Sequence, residues 1–188
     1  MKKLFTYLFF IIFSFQTPSL ADDISDFQIE GMSVGDSALD YFSEEEFLQF
    51  KDKKSFKDKK YTARELRKSK FLKVYEGLQI NYLTKDKKYI IQGLSGIIGY
   101  NNNIENCHIQ KDIIKDELKD LFPNAKLTKN KKKLHVGGHW EGYGFTLVSG
   151  DLAIVACYDV PEKHTTEDHL RISIRMKKYN YWLTNAYK

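Results

Sequence analysis

The residues of this chain best suited to chemistry are one serine in a Gly-Asp-Ser block and five histidines. Gly35-Asp36-Ser37 matches the nucleophile block of one class of serine esterases. A serine nucleophile needs a base to take its proton and a further group to orient that base. Those enzymes draw both from an Asp-x-x-His pair near the C-terminus and add a Gly-x-Asn-Asp block for the oxyanion. Neither pattern is present: Pro161 stands three residues before His164, and Thr166 three before His169. Glu105-x-x-His108 is a loose variant in the wrong region. Local physics explains the block without catalysis. Ser33 and Asp36 fit a relaxed capping box, and Ala38, Leu39, Tyr41 and Phe42 follow at helical spacing. The catalytic assignment is therefore none.

The histidines are the metal candidates. His135 and His139 sit four apart in "HVGGHW", and His164 and His169 flank "HTTEDH". Gly137 and Gly138 argue against the helix that would put the first pair on one ion. Zinc or copper would suit imidazoles brought together by two loops, but no cysteine ligand and no tight spacing support it. Exposed loop histidines are the default, so metal and cofactor are both expected to be none. Trp140, Trp182 and the many tyrosines could line a pocket, but in a small domain they more often seal a core or sheet edge. "GGHWEGYG" lacks the Gly-Lys-Ser/Thr ending of a phosphate loop.

The elements that must position these residues read as follows. Ser43 opens a second capping box with Glu46, with Phe42 and Phe47 as its staple, so two short helices are expected at about 34–42 and 44–52. "FLKVYEG", "LQINYLT" and "YIIQGLSGIIGY" predict three strands, with Lys85 to Lys88 as a hairpin turn. Gly93 and Gly96 suggest a bulge or a close backbone approach. Asn103 caps a helix running to about Phe122, with Cys107, Ile114, Leu118 and Leu121 on its apolar stripe, widened by Ile113 and Phe122; Pro123 ends it. After a lysine-rich connector, "KLTKNKKKLHVGG", come "WEGYGFTLV", a Ser149-Gly150-Asp151 turn and "LAIVACYDV", which is apolar on both faces and so central. "HLRISIRM" alternates, and "KYNYWLTNAY" closes as a helix. The order αα-βββ-α-βββ-α makes an α+β fold with a mainly antiparallel sheet and helices packed on it.

The N-terminus, "MKKLFTYLFFIIFSFQTPSLADD", has a lysine pair, an apolar run of ten residues and a Ser-Leu-Ala site, the layout of a secretory signal. The run is short of the roughly 20 residues that span a bilayer. Cleavage after Ala21 separates 1–21, the signal peptide, from 22–188, a single α+β domain expected to be soluble, without a transmembrane segment, and periplasmic or secreted. Nine acids and no base between Asp22 and Phe47 precede eleven bases against three acids from Lys51 to Lys73. The basic block reads as a solvated face or as a contact for an anionic envelope surface. Export argues against nucleic acid as a partner. It also favours a bridge between the two cysteines, Cys107 and Cys157; two separately buried thiols are the alternative.

"FQIEGMSVGDSALDYFSEEEF", "YIIQGLSGII…NNIENCHIQKDIIKDELKDLFPNAK" and "AIVACYDV…DHLRISI" together resemble a family of exported proteins from AT-rich marine alphaproteobacteria, a resemblance that implies no activity. Ile29, Gly31, Met32 and Ser33 are also similar to the helix opening of BamE-like envelope domains, which pair two helices with a three-stranded sheet. The functional expectation is a non-catalytic binding or interaction module of the bacterial envelope, its partner an envelope protein or an anionic surface. The alternative is a small periplasmic hydrolase or metal-binding protein using Ser37 or the loop histidines.

Overall fold

The computed structural model describes residues 23–52, 58–101, 103–163 and 166–186. The expected leader, 1–21, and His164 lie outside them. An eight-stranded sheet, antiparallel throughout, organises the protein. Its strands are β1 (Lys51–Asp52), β2 (Tyr61–Arg67), β3 (Gly77–Leu83), β4 (Ile91–Gly99), β5 (Lys126–Lys133), β6 (His139–Thr146), β7 (Leu152–Asp159) and β8 (His169–Arg175). The spatial order is β1-β2-β3-β4-β8-β7-β6-β5, so two four-stranded meanders meet at β4 and β8. Helix α1 (Glu44–Gln49) precedes the first meander, α2 (Ile104–Leu121) joins the two, and α3 (Lys177–Ala186) follows the second. The mixed α+β class is as expected; the element order is not.

One face of the sheet is covered. Helix α2 packs on β6 to β8, and the segment from Ile29 to Phe47 joins Leu78, Ile80, Tyr82, Ile91 and Leu94 in the same apolar cluster. Each fully buried Ile, Leu or Phe there contributes about 1.5–3 kcal/mol relative to exposure. Asn103 caps α2 by accepting from Asn106 N, as its sequence predicts. Its buried stripe is Cys107, Lys111, Ile114 and Leu118, whereas Ile113 is half exposed. The sulfurs of Cys107 and Cys157 lie 2.04 Å apart, tying the first turn of α2 to β7.

Several expectations fail for local reasons. The helix expected at 34–42 is a single 3-10 turn, Ala38–Asp40, capped by Ser37 rather than by Ser33. Gly35 has φ +94°, outside the helical region, and its N–H donates to Ile91 O instead of into a helix. The second helix stops at Gln49, and Lys51–Asp52 pair as β1. "FLKVYEG" is a loop, because the Glu30 carboxylate accepts from the N–H groups of Lys73, Val74 and Tyr75, each at 2.9 Å, so those donors are spent before a ladder can use them. Besides β1, two strands are additional. β2 comes from the basic block, where Tyr61, Ala63 and Glu65 are buried alternately; β5 is the supposed connector, all eight residues paired to β6. Lysines along an outer strand discourage a further strand from adding to it.

Candidate functional site

The residues that sequence chemistry singled out do not assemble. Ser37 Oγ donates to Lys88 O at 2.7 Å and accepts from Leu39 N at 3.1 Å, the bonds of a cap. His135 is exposed in the turn before β6, and His139 faces Asp159 at 3.2 Å on the covered side of the sheet. His169 stands on the opposite side of the sheet from His139. His108 lies on α2, its Nδ1 3.1 Å from Lys111 Nζ. Among the described residues, no three His, Cys, Asp or Glu side chains form a group that could hold a metal ion. Also among these residues, no helix is long and apolar enough to cross a membrane.

Chemistry gathers instead on the second face of the sheet. Strand alternation sends His169, Arg171, Ser173 and Arg175 of β8 to that side, while Leu170, Ile172 and Ile174 enter the core. Opposite them in register on β4 stand Gly99, Ile97, Ser95 and Gly93. Ser95 and Ser173 share a 2.8 Å hydroxyl bond, both buried. Asn81 donates to Gly93 O at 3.2 Å, and Gln79 donates to Asn81 at 3.2 Å. Helix α3 roofs one end: the Tyr179 ring lies so close to Gly93 that a Cβ there would fall 2.5 Å from it. Tyr61, Tyr179 and Trp182 form one ring cluster, with Trp182 Nε1 donating to Asp58.

The charges on this face are unequally matched. Arg67 donates to Glu65, a pair closed within β2. Among the described residues Arg171 has no carboxylate partner and its buried Nε no hydrogen-bond partner; its guanidinium lies 5.6 Å from the Tyr158 ring centre. Arg175 is half-buried and is likewise without an ion pair among the described residues. Burial holds the Arg175 guanidinium below its ordinary pKa; the hydroxyls of Tyr179 and Tyr158 oppose the shift and Arg171 adds to it. Buried polar groups are nearly always satisfied, so an orphaned donor asks for a physical account.

At the other end of the row the face is acidic. A polar hollow of about 290 Å³ is lined by Lys51, Glu65, Arg67, Glu76, Glu167 and His169, among others. Glu76 and Glu167 close in over Gly99, where a Cβ would lie 2.9 and 3.0 Å from their carboxylate oxygens. His169 Nδ1 is 2.9 Å from Glu167 O, and its ring stacks on Tyr158 at 4.7 Å. Burial pushes its pKa down to about 4, helped by the charges of Arg171 and Arg67. The imidazole is therefore neutral at pH 7, with Nδ1–H donating to the carbonyl.

Family models, curated proteins and solved structures give no match to this chain.

A larger cleft of about 1090 Å³ lies beside α1, floored by Phe42, Phe50 and Phe71 with Glu46, Lys70 and Lys73 among its other lining residues. Its most charged feature, Glu30, is consumed internally: burial works against ionisation, but the N–H groups of Tyr75, Val74 and Lys73 hold its pKa below the usual carboxylate value. The open face differs in offering a guanidinium whose buried Nε has no partner among the described residues. Its sequence signal was the polar half of "HLRISIR", whose alternation was legible although its consequence was not.

Proposed function

We propose that the protein is an exported, non-catalytic binding module of the bacterial envelope, and that it holds a negatively charged partner against the open face of its sheet. The observation that carries the reading is Arg171: a guanidinium with a buried, unpartnered Nε, one residue pair from Arg175 and next to a serine pair. An isolated cation taken out of water costs free energy unless a partner compensates it, and an oxyanion ligand supplies that partner as charge-assisted hydrogen bonds. The cysteine pair supports the location, because a disulfide persists in an oxidising compartment. Ser37, with its hydroxyl committed to a cap, contributes no catalysis.

The test is thermal unfolding with increasing inorganic phosphate, citrate or sodium chloride at matched ionic strength. A ligand that binds only the native state raises the midpoint with concentration. Phosphate or citrate should raise it more than chloride, and the difference should disappear in Arg171→Met/Arg175→Met. Equal responses in both proteins would overturn the assignment of the open face.

A further inference from the structure

The hollow at the His169 end of the open face carries hydrogen-bond acceptors that the fold does not use. Oxygens of Glu76 and Glu167 lie 2.9 and 3.0 Å from one point above Gly99, close enough for a single nitrogen to bond both. Neither carboxylate has a hydrogen bond or ion pair among the described residues. His169 stands opposite Gly99 in register, is 8 % exposed and lines the same hollow. Its Nδ1–H is committed to Glu167 O, which leaves the Nε2 lone pair without a partner among the described residues. A buried acceptor of this kind asks for a donor. Two carboxylates facing one point also repel each other, and a cation there relieves that cost. The rest of the lining is basic and apolar. Lys51 is exposed with no ion pair among the described residues, and Arg67 gives Nε to Glu65 but keeps its outer guanidinium nitrogens. Arg67, Gly77 and Ile97 share one register row across β2, β3 and β4, which places Ile97 between the arginine and Gly99.

We propose that this hollow binds a small aminocarboxylate zwitterion, its ammonium on Glu76, Glu167 and His169 Nε2 and its carboxylate on Arg67 and Lys51. An ammonium brings three N–H donors to the three acceptors, and a guanidinium suits a carboxylate. The mixed lining selects for both charges. An amine alone would face Lys51 and Arg67, and a carboxylate alone would face the two glutamates; a molecule carrying both groups satisfies both sets. The cavity, about 290 Å³, has room for a molecule of this size. Strands β2 and β4 are two spacings apart, about 10 Å, so the two charges need methylenes between them. Ile97, which also lines the hollow, gives those methylenes an apolar surface. The inference goes beyond the anion reading of Arg171 and Arg175 and does not rest on it.

The experiment is calorimetric titration of the purified protein with glycine, γ-aminobutyrate and ε-aminocaproate, with butylamine and butyrate as single-charge controls. A charged hydrogen bond is worth about tenfold in affinity or more. One of the two longer zwitterions should therefore bind about tenfold tighter than glycine and than either control. Glu76→Gln/Glu167→Gln should remove that preference; both side chains are exposed, so the fold should hold. Gly99→Ala is the second variant. Its Cβ takes the point beside the two carboxylates and displaces only flexible side-chain ends, and the same loss is expected. Arg171→Met/Arg175→Met should keep the response.

Butylamine binding as tightly as the zwitterions would overturn the carboxylate contact and the proposal with it. Equal heats in the native protein and in both hollow variants would overturn the site. Loss of binding in Arg171→Met/Arg175→Met would move the ligand to the arginine row and overturn the hollow. Zwitterion binding without a phosphate effect on unfolding would overturn the anion reading alone. Uptake of calcium or zinc that depends on Glu76 and Glu167, with no zwitterion bound, would overturn the proposal in favour of a metal ion.

Discussion

Lys111 and Arg171 are both cations drawn into the fold, one on each face of the same sheet, and they are treated in opposite ways. Lys111, 2 % exposed on α2, has Glu141 at 3.4 Å, His108 Nδ1 at 3.1 Å, and the Tyr143 ring centre at 5.3 Å. Glu141 is held in turn by Lys129 and Lys131 of β5, each at 3.5 Å. Burial works against the Glu141 charge, but Lys111 and the β5 lysines hold its pKa below the ordinary value. Arg171 has a ring face and, among the described residues, no anion. The covered face thus brings every counter-charge from within the chain, which is how a structural ion cluster is built. Under the proposed function, the open face leaves the counter-charge to be brought from outside, which is how a binding site differs from a core.

If the covered face is structural, breaking it should cost the most. Removing the bridge between Cys107 and Cys157 releases a loop of 50 residues, worth about 4 kcal/mol in the chain-entropy account. Denaturant unfolding of Cys107→Ser/Cys157→Ser should show that loss, and phosphate binding to the folded fraction should be unchanged. Loss of anion binding in proportion to stability would erase the distinction between the faces. Next comes Glu141→Ala, which takes the nearer carboxylate from Lys111 and leaves it Asp112 at 3.9 Å. We expect a cost of about 3 kcal/mol, at the low end for a buried pair that loses one partner. A cost below 1 kcal/mol would show that Lys111 reaches water and that the contrast with Arg171 is false.

The two faces were not equally legible in the sequence. The covered one was: Asn103 as a cap, the Cys107–Ile114–Leu118 stripe, and "LAIVACYDV" as an interior strand all follow from periodicity, which reports burial directly. What escaped was charge inside that pattern. Lys111 falls on the stripe, but periodicity counts a lysine as surface, and only its tertiary neighbours bury it. Strands β2 and β5 escaped for the same reason, since Lys, Arg and Glu are weak strand formers until a neighbouring strand pairs with them. "FLKVYEG" misled in the other direction: good strand composition lost to one carboxylate, Glu30, that lies more than forty residues away. On the open face the alternation of "HLRISIR" was plain. That its polar half lies within the sheet, away from either edge, depends on two meanders meeting at β4 and β8, and no local pattern encodes that.

His169 belongs to the open face and stays neutral when folded, with its pKa pushed from 6.5 to about 4. The unfolded chain binds that proton first, so stability present at pH 7 declines as pH falls through 6.5 and levels off below about 4. The total is about 3 kcal/mol. Glu141 of the covered face is depressed instead, so its contribution is intact above pH 4.5 and is lost only below that. Unfolding free energy measured from pH 7 to 5 should fall in the native protein and fall less steeply in His169→Phe, where His108 of the covered face, its pKa also lowered by burial, remains. A parallel fall in both would remove His169 as the cause.

The smallest stability effect is the most telling one. Arg171→Met keeps an aliphatic stem over Tyr158 and removes a buried donor that nothing satisfies. The lost ring contact, about 0.5–1 kcal/mol, is opposed by relief of a desolvation cost of about 1–3 kcal/mol. The variant should therefore be as stable as the native protein to within about 1 kcal/mol, or slightly more stable. The mirror experiment on the covered face, Lys111→Met, removes a cation that is paired and leaves Glu141 to the two β5 lysines; it should be the costlier of the two. A residue kept at no benefit to the fold, whose loss abolishes anion binding, is one the molecule holds in readiness for something else. If Arg171→Met instead loses more than 2 kcal/mol in denaturant unfolding, the guanidinium is part of the scaffold after all, and the open face is a second core surface rather than a site.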